Sequence, residues 1–128
     1  MDNSLLPKLL VADADTAITF YTRALGAELV LRVADDRGVV GHAELTLDSA
    51  TFALAQSVDE WGWRDPESIG GSPVLIMVTT PDPDATAARM VQHGAETVIP
   101  VDDRPYGKRQ GRVRDPFGHL WVISGGPR

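Results

Sequence analysis

The chain predicts an α+β fold made of two β-α-β-β-β modules, and three observations carry that prediction. First, two segments read alike: "DADTAITFYTRALGAELVLRV" at 13–33 and "DPDATAARMVQHGAETVIPV" at 82–101. Each begins Asp-x-Asp, runs through a helical stretch and ends in Gly-Ala-Glu-x-Val, the mark of a duplicated unit. Second, the apolar period changes at the glycine of each copy, from helical to strand-like. Third, each copy has a short apolar run before it and two further apolar runs joined by a turn after it.

The elements follow in order. Leu9–Val11 opens the first module and Val74–Val78 the second. Asp13 or Asp15, and Asp82 or Asp84, are suited to cap the helices by accepting backbone N–H groups. Ala14, Ala17, Ile18, Tyr21 and Leu25 form one apolar face, and Ala87, Ala88 and Val91 a weaker one. Gly26 and Gly94 stand where a left-handed C-cap is wanted. Strands are expected at Leu29–Val33, Val39–Leu47 and Thr51–Gln56, then at Thr97–Val101, Gly111–Arg114 and Leu120–Ser124. "DSA" closes one hairpin and "DPFGH" the other, with Pro116 fixing φ and Gly118 accepting a positive φ. The half-modules run over about 4–56 and 73–124, and residues 57–72 read as an irregular linker within one domain of 1–128.

Composition narrows the function classes. With no cysteine, disulfides, zinc-thiolate sites and thiol catalysis are excluded, and a reducing cytoplasm is the expected setting. The net charge of −6, with both signs interspersed, argues against nucleic-acid binding. The most basic window, "YGKRQGRVR", reads as a solvated hairpin. No stretch has the length of a membrane span, and the first residues lack the basic and apolar regions of a signal peptide. There is no G-x-S-x-G elbow and no phosphate-binding glycine loop.

With "FYTRALGAELV" early and "YGKRQGRVRDPFGHLW" late, the duplicated chain resembles the glyoxalase/bleomycin-resistance/extradiol-dioxygenase superfamily, also called vicinal oxygen chelate proteins. The similarity runs from about Leu6 to Ser124 and is closest to the PhnB-like branch. The resemblance implies cup-shaped mixed sheets, a cleft and a homodimer. Its members divide into enzymes that hold a divalent ion through His, Gln or Glu, and metal-free proteins that sequester drugs. Carried across residue by residue, the four ligand positions fall on Leu6, Ala53, Leu75 and Val122. None offers the oxygen or imidazole nitrogen that such an ion needs, so neither metal nor other cofactor is expected.

The remaining candidates are aromatic or polar. Trp61 and Trp63 in the linker, with Phe52, Trp121 and Tyr106, are candidate ligand contacts, since aromatic rings grip planar molecules. The plainer readings are that Trp61 and Trp63 staple the loop to the core and that Phe52 and Trp121 are buried in the sheets. His42 and Glu44, two apart on a strand, share a face. With Tyr106 they are the acid/base candidates. Arg104 and Arg109 flank Tyr106 and are suited to orient a polar ligand group. His93 suits a helix C-terminus, and His119 reads as part of its turn. The expected function is metal-independent binding of an aromatic or cationic organic molecule in an apolar cleft, as in bleomycin resistance. The alternative is a metal-independent isomerase, lyase or cyclase in the same cleft.

Overall fold

A computed structural model describes residues 2–126. They form two compact units that divide between Asp65 and Pro66, inside the stretch expected to be a linker. Each unit is a β-α-β-β-β module with one four-stranded mixed sheet.

In the first unit the elements are β1 (Lys8–Val11), α1 (Ala14–Leu25), β2 (Glu28–Ala34), β3 (Val40–Leu47) and β4 (Ala50–Gln56). The sheet order is β1-β4-β3-β2, with β1 parallel to β4 and the other pairs antiparallel. Asp13 is the N-cap of α1, its carboxylate accepting from Thr16 N at 3.1 Å, and Gly26 ends the helix at φ 75°. Helix α1 buries Ala14, Ala17, Ile18, Tyr21 and Leu25 as expected, and Phe20 and Ala24 as well. Tyr21 is fully buried, with edge-on ring contacts to Phe20 and Phe52.

The second unit has a short helix α2 (Pro66–Ile69), then β5 (Leu75–Thr79), α3 (Pro83–Gln92), β6 (Glu96–Asp103), β7 (Arg109–Arg114) and β8 (Leu120–Gly125). Its order, β5-β8-β7-β6, repeats the first sheet's, again with one parallel pair. Asp82 caps α3 by accepting from Ala85 N, and His93 stands at the C-cap, one residue before the expected Gly94. The buried face of α3 also differs from expectation. It is Pro83, Thr86 and Met90 that are buried, whereas Ala88 and Val91 are exposed. Thr86 stands inward because its hydroxyl has a partner, Thr80 Oγ1, at 3.2 Å. A buried polar group with its hydrogen bond made can displace a weakly apolar stripe from the core.

The stretch 57–72 is more ordered than a linker. Asp59–Trp61 forms a 3₁₀ turn in the first unit, and Pro66–Ile69 is helical in the second. Among the described residues no helix is long and apolar enough to cross a membrane.

Candidate functional site

Strand alternation sorts the candidate residues by face. In the first sheet α1 covers the side of Leu45, Phe52 and Leu54, so Lys8, Leu31, His42, Glu44 and Ala53 point the other way. In the second sheet Arg109 reaches Asp84 on α3, which assigns 109, 111 and 113 to the helix side. Trp121 and Ile123 pair with Val113 and Gly111 and share that side. Gln110, Arg112, Val122, Ser124, Leu75 and Met77 therefore occupy the face away from α3.

This sorting places two of the candidate aromatic residues on the helix-covered faces. Phe52 packs on Tyr21, ring centroids 5.5 Å apart, under α1. Trp121 is only 2% exposed, and its indole N–H donates to Asp115 Oδ2 at 2.9 Å. Both rings lie on the helix-covered faces, Trp121 buried and Phe52 half-buried, one residue out of phase with the opposite surface. The signal was the neighbouring residue: Ala53 and Val122, not Phe52 and Trp121, lie on the faces turned from the helices.

The ligand positions implied by the resemblance take those same faces. Ala53 lies opposite Glu44 in the first unit, Leu75 and Val122 share a face in the second, and Leu6 precedes β1. All four side chains are hydrocarbon. Among the described residues no three His, Cys, Asp or Glu side chains gather as a metal-holding group. These four side chains offer no ligand atom to a divalent ion.

A pocket in the first unit, of about 260 Å³, is lined by Val33, Val39, Gln56, Val58, Trp61 and Trp63 together with Ala34, Asp35 and Gly41. Its aromatic wall is built locally. Val58 and Trp63 exchange backbone hydrogen bonds of 2.8 and 3.1 Å. They close a loop whose turn places Gly62 at φ 73°, a conformation that suits glycine. That closure presents Trp61 and Trp63 edge to face, centroids 5.0 Å apart. Lys8 Nζ stands 4.9 Å from the centre of the Trp63 ring, a cation–π contact. Trp61 remains 65% exposed. The lone carboxylate of the lining, Asp35, accepts from Arg37 N and Val39 N, both at 2.9 Å. Those backbone donors hold its pKa below the ordinary aspartate value of 3.8.

His42 and Glu44 do meet. His42 Nε2 and Glu44 Oε2 are 2.8 Å apart, and both side chains are about 30% exposed. Tyr106 belongs to the second unit, where its hydroxyl donates to Gln110 Oε1 at 2.8 Å. It lines a pocket of about 210 Å³ with Ile99, Arg104, Gln110, Gly111, Arg112 and Val122. Arg109 is not among them. Its guanidinium is clamped by both oxygens of Asp84, at 2.7 and 2.9 Å, and by Asp103, which raises its pKa. His119 is 7% exposed, and its backbone closes the Asp115 turn in both directions.

Gln110 and Arg112 lie in the basic window whose sequence reads as a solvated hairpin. The usable signal was alternation within "RQGRVR", which aims Gln110, Arg112 and Arg114 to one side. Lys8, too, was not singled out. Its contact with Trp63 joins residues far apart in the chain and leaves no local pattern.

Known proteins are similar to this chain in sequence and in fold. The chain is 39% identical over 127 residues to the uncharacterized protein Mb0911c of Mycobacterium bovis, covering 97% of this chain and 84% of that protein. The crystal structure of TioX from Micromonospora sp. ML1 superposes with a TM-score of 0.73 at 28% identity, covering 98% of each chain. A PhnB protein from Bacillus cereus has the same fold, with a TM-score of 0.76 at 22% identity over 97% of this chain and 100% of that one. A sequence model of the Glyoxalase/Bleomycin resistance protein/Dioxygenase superfamily matches residues 5–123, and the chain belongs to that superfamily.

Proposed function

We propose that the protein binds a small aromatic organic molecule, neutral or cationic, in the Trp61–Trp63 pocket without a metal ion. The observation that carries this reading is the pair of tryptophans, set edge to face on an apolar lining. An exposed indole face offers a planar ligand stacking area, and its quadrupole favours a cation. Hydrocarbon side chains at Leu6, Ala53, Leu75 and Val122 support the metal-free part of the reading. Sequestering an antibiotic is the biological role that fits such a site, in a cytoplasmic setting. A second copy of the chain is the partner proposed for the exposed apolar side chains of β2: Leu29, Leu31 and Val33. Light scattering should give a dimer mass, and a monomer at all concentrations would remove that part.

The test is tryptophan fluorescence of chelator-treated protein titrated with metal-free bleomycin and with ethidium. Saturable quenching near one ligand per chain, abolished in Trp61→Ala, is the expected result. Binding that requires added metal, or that survives Trp61→Ala unchanged, overturns the reading.

One observation favours a second reading. The hydrogen bond between His42 and Glu44 orients an imidazole beside a carboxylate, an arrangement suited to proton transfer in an isomerase, lyase or cyclase. If so, Glu44→Gln should slow turnover of a substrate found by screening by about 100-fold or more. Unchanged turnover in both His42→Ala and Glu44→Gln removes that reading.

A further inference from the structure

The second unit carries a pocket of different chemistry on the face away from α3. Register pairs Arg112 with Ile99 on β6 and with Val122 on β8, so its guanidinium rises between two apolar side chains. The Arg112 side chain is exposed and makes no hydrogen bond or ion pair among the described residues. Arg104, the other cation of the lining, is immobilised. Its Nε donates to Gln110 O at 3.1 Å, and its Nη2 to Gln110 O at 2.9 Å and Pro100 O at 2.6 Å. These bonds use the Nε and Nη2 donors, and Nη1 has no acceptor among the described residues. A planar guanidinium held this way loses little further entropy when the remaining nitrogen meets an acceptor.

The neutral polar groups are fixed too. Tyr106 Oη donates to Gln110 Oε1, and Gln110 Nε2 donates to Ser124 Oγ at 2.9 Å. No carboxylate lines this pocket. Asp102, opposite Gln110 in register, is exposed and lies 3.9 Å from Arg109 Nη1, a cation it shares with Asp84 and Asp103.

We infer that this pocket binds a small organic carboxylate. Arg112 supplies the ion pair, Arg104 Nη1 a second charge-assisted donor, and Ile99 and Val122 the surface for an apolar body. Guanidinium geometry matches a planar carboxylate. The volume of about 210 Å³ limits the ligand to a single ring or short chain. The overall charge of −6 opposes anions at long range. Screening over a Debye length of about 8 Å at physiological salt confines that opposition to nearby charges. This site shares no lining residue with the tryptophan pocket, so the two readings stand or fall separately.

The experiment is a titration of isotope-labelled protein with benzoate, followed by the backbone amides of Gln110, Gly111 and Arg112. Benzyl alcohol, benzylammonium and inorganic sulfate are titrated alongside. Benzoate should shift these amides saturably, and Arg112→Gln should weaken it by about tenfold or more, the loss expected for one charge-assisted hydrogen bond. Trp61→Ala should leave benzoate affinity unchanged. Equal binding of benzyl alcohol or benzylammonium would overturn the inference, and so would an affinity indifferent to Arg112→Gln. Sulfate binding as tightly as benzoate would reduce the site to one for inorganic anions and overturn it. Absence of saturation with benzoate would also end it.

Discussion

The hairpin between β2 and β3 and that between β6 and β7 close with the same backbone pattern but opposite charge. In the first, Asp35 N donates to Val39 O and Gly38 N to Asp35 O, both at 3.0 Å. In the second, Arg104 N donates to Lys108 O at 2.8 Å and Gly107 N to Arg104 O at 3.1 Å. Asp35 tightens its turn with a side-chain acceptor for two N–H groups. Arg104 tightens its own with side-chain donors to carbonyls of Pro100 and Gln110. The two modules share this backbone geometry while the charge at the pocket beside each hairpin is opposite. One unit thus offers indole rings and a committed carboxylate, the other guanidinium groups and a phenol. Folding constraints fall on the turn and binding chemistry on its side chains, so the two can diverge separately.

The cores differ as well, and this gives the largest expected effect. The first unit is centred on Tyr21, fully buried between Phe20 and Phe52. Tyr21→Ala should cost about 3–5 kcal/mol, because aromatic truncation leaves a cavity that the surroundings only partly fill. Chemical denaturation checks this. A loss below about 1 kcal/mol, the size of an average substitution, would mean that the first unit does not depend on this cluster.

The second unit rests more on a polar centre. Asp115 is 3% exposed and accepts from Phe117 N at 2.9 Å, His119 N at 3.0 Å and Trp121 Nε1 at 2.9 Å. The matching hairpin of the first unit joins Leu47 to Ala50 through only two residues, with Asp48 at φ 54°. Asp115→Ala strands three donors and should cost roughly 2–4 kcal/mol. Trp121 near-ultraviolet circular dichroism should weaken in parallel. If Asp115→Ala is as stable as the parent, the polar centre is not what orders this turn.

These contrasts mark what could be read from the chain. The duplication, both Asp caps and the Asp-Pro-x-Gly turn were legible, because each is local and fixed by a few residues such as Asp13, Asp82 and Pro116. The inward face of α3 was not, since Thr86 is buried through a partner on another element, Thr80. The faces taken by Phe52 and Trp121 were not legible, because aromatic character says nothing about which face of a strand a residue takes. Pairing register decides that, and register depends on neighbouring strands. Arg112 was hidden for the opposite reason, as a charge in a basic hairpin resembles any solvated charge until Ile99 and Val122 are found beside it.

A smaller effect sharpens the contrast between the pockets. Gly62 takes φ 73° between the two tryptophans, where a side chain is strained. Gly62→Ala should cost about 1 kcal/mol of stability and disturb the Trp61–Trp63 arrangement. Affinity for an aromatic ligand should fall while benzoate binding in the second unit stays as it was. Equal loss at both would show that the pockets are not separate.

Acid provides the gentlest test, because it acts on one hairpin and not the other. The pKa of Asp35 is lowered in the folded chain, chiefly by the N–H of Val39 and then that of Arg37. A lowered carboxyl pKa contributes stability that is fully present above the unfolded value, near 3.8, and is lost as pH falls through the lower folded value. Amide exchange at Arg37 and Val39 should therefore speed up below about pH 4, beyond its intrinsic pH dependence, and Asp35→Asn should remove most of this response. The hairpin of Arg104 is pinned by a guanidinium, a group without acid titration, so protection at the Arg104 and Gly107 amides, which donate within this turn, should hold across the same window. Because Asp35 is exposed to solvent, the effect is local opening and not global unfolding. Simultaneous loss of protection at Val39 and Gly107 would tie the two turns to one cooperative transition and break the comparison.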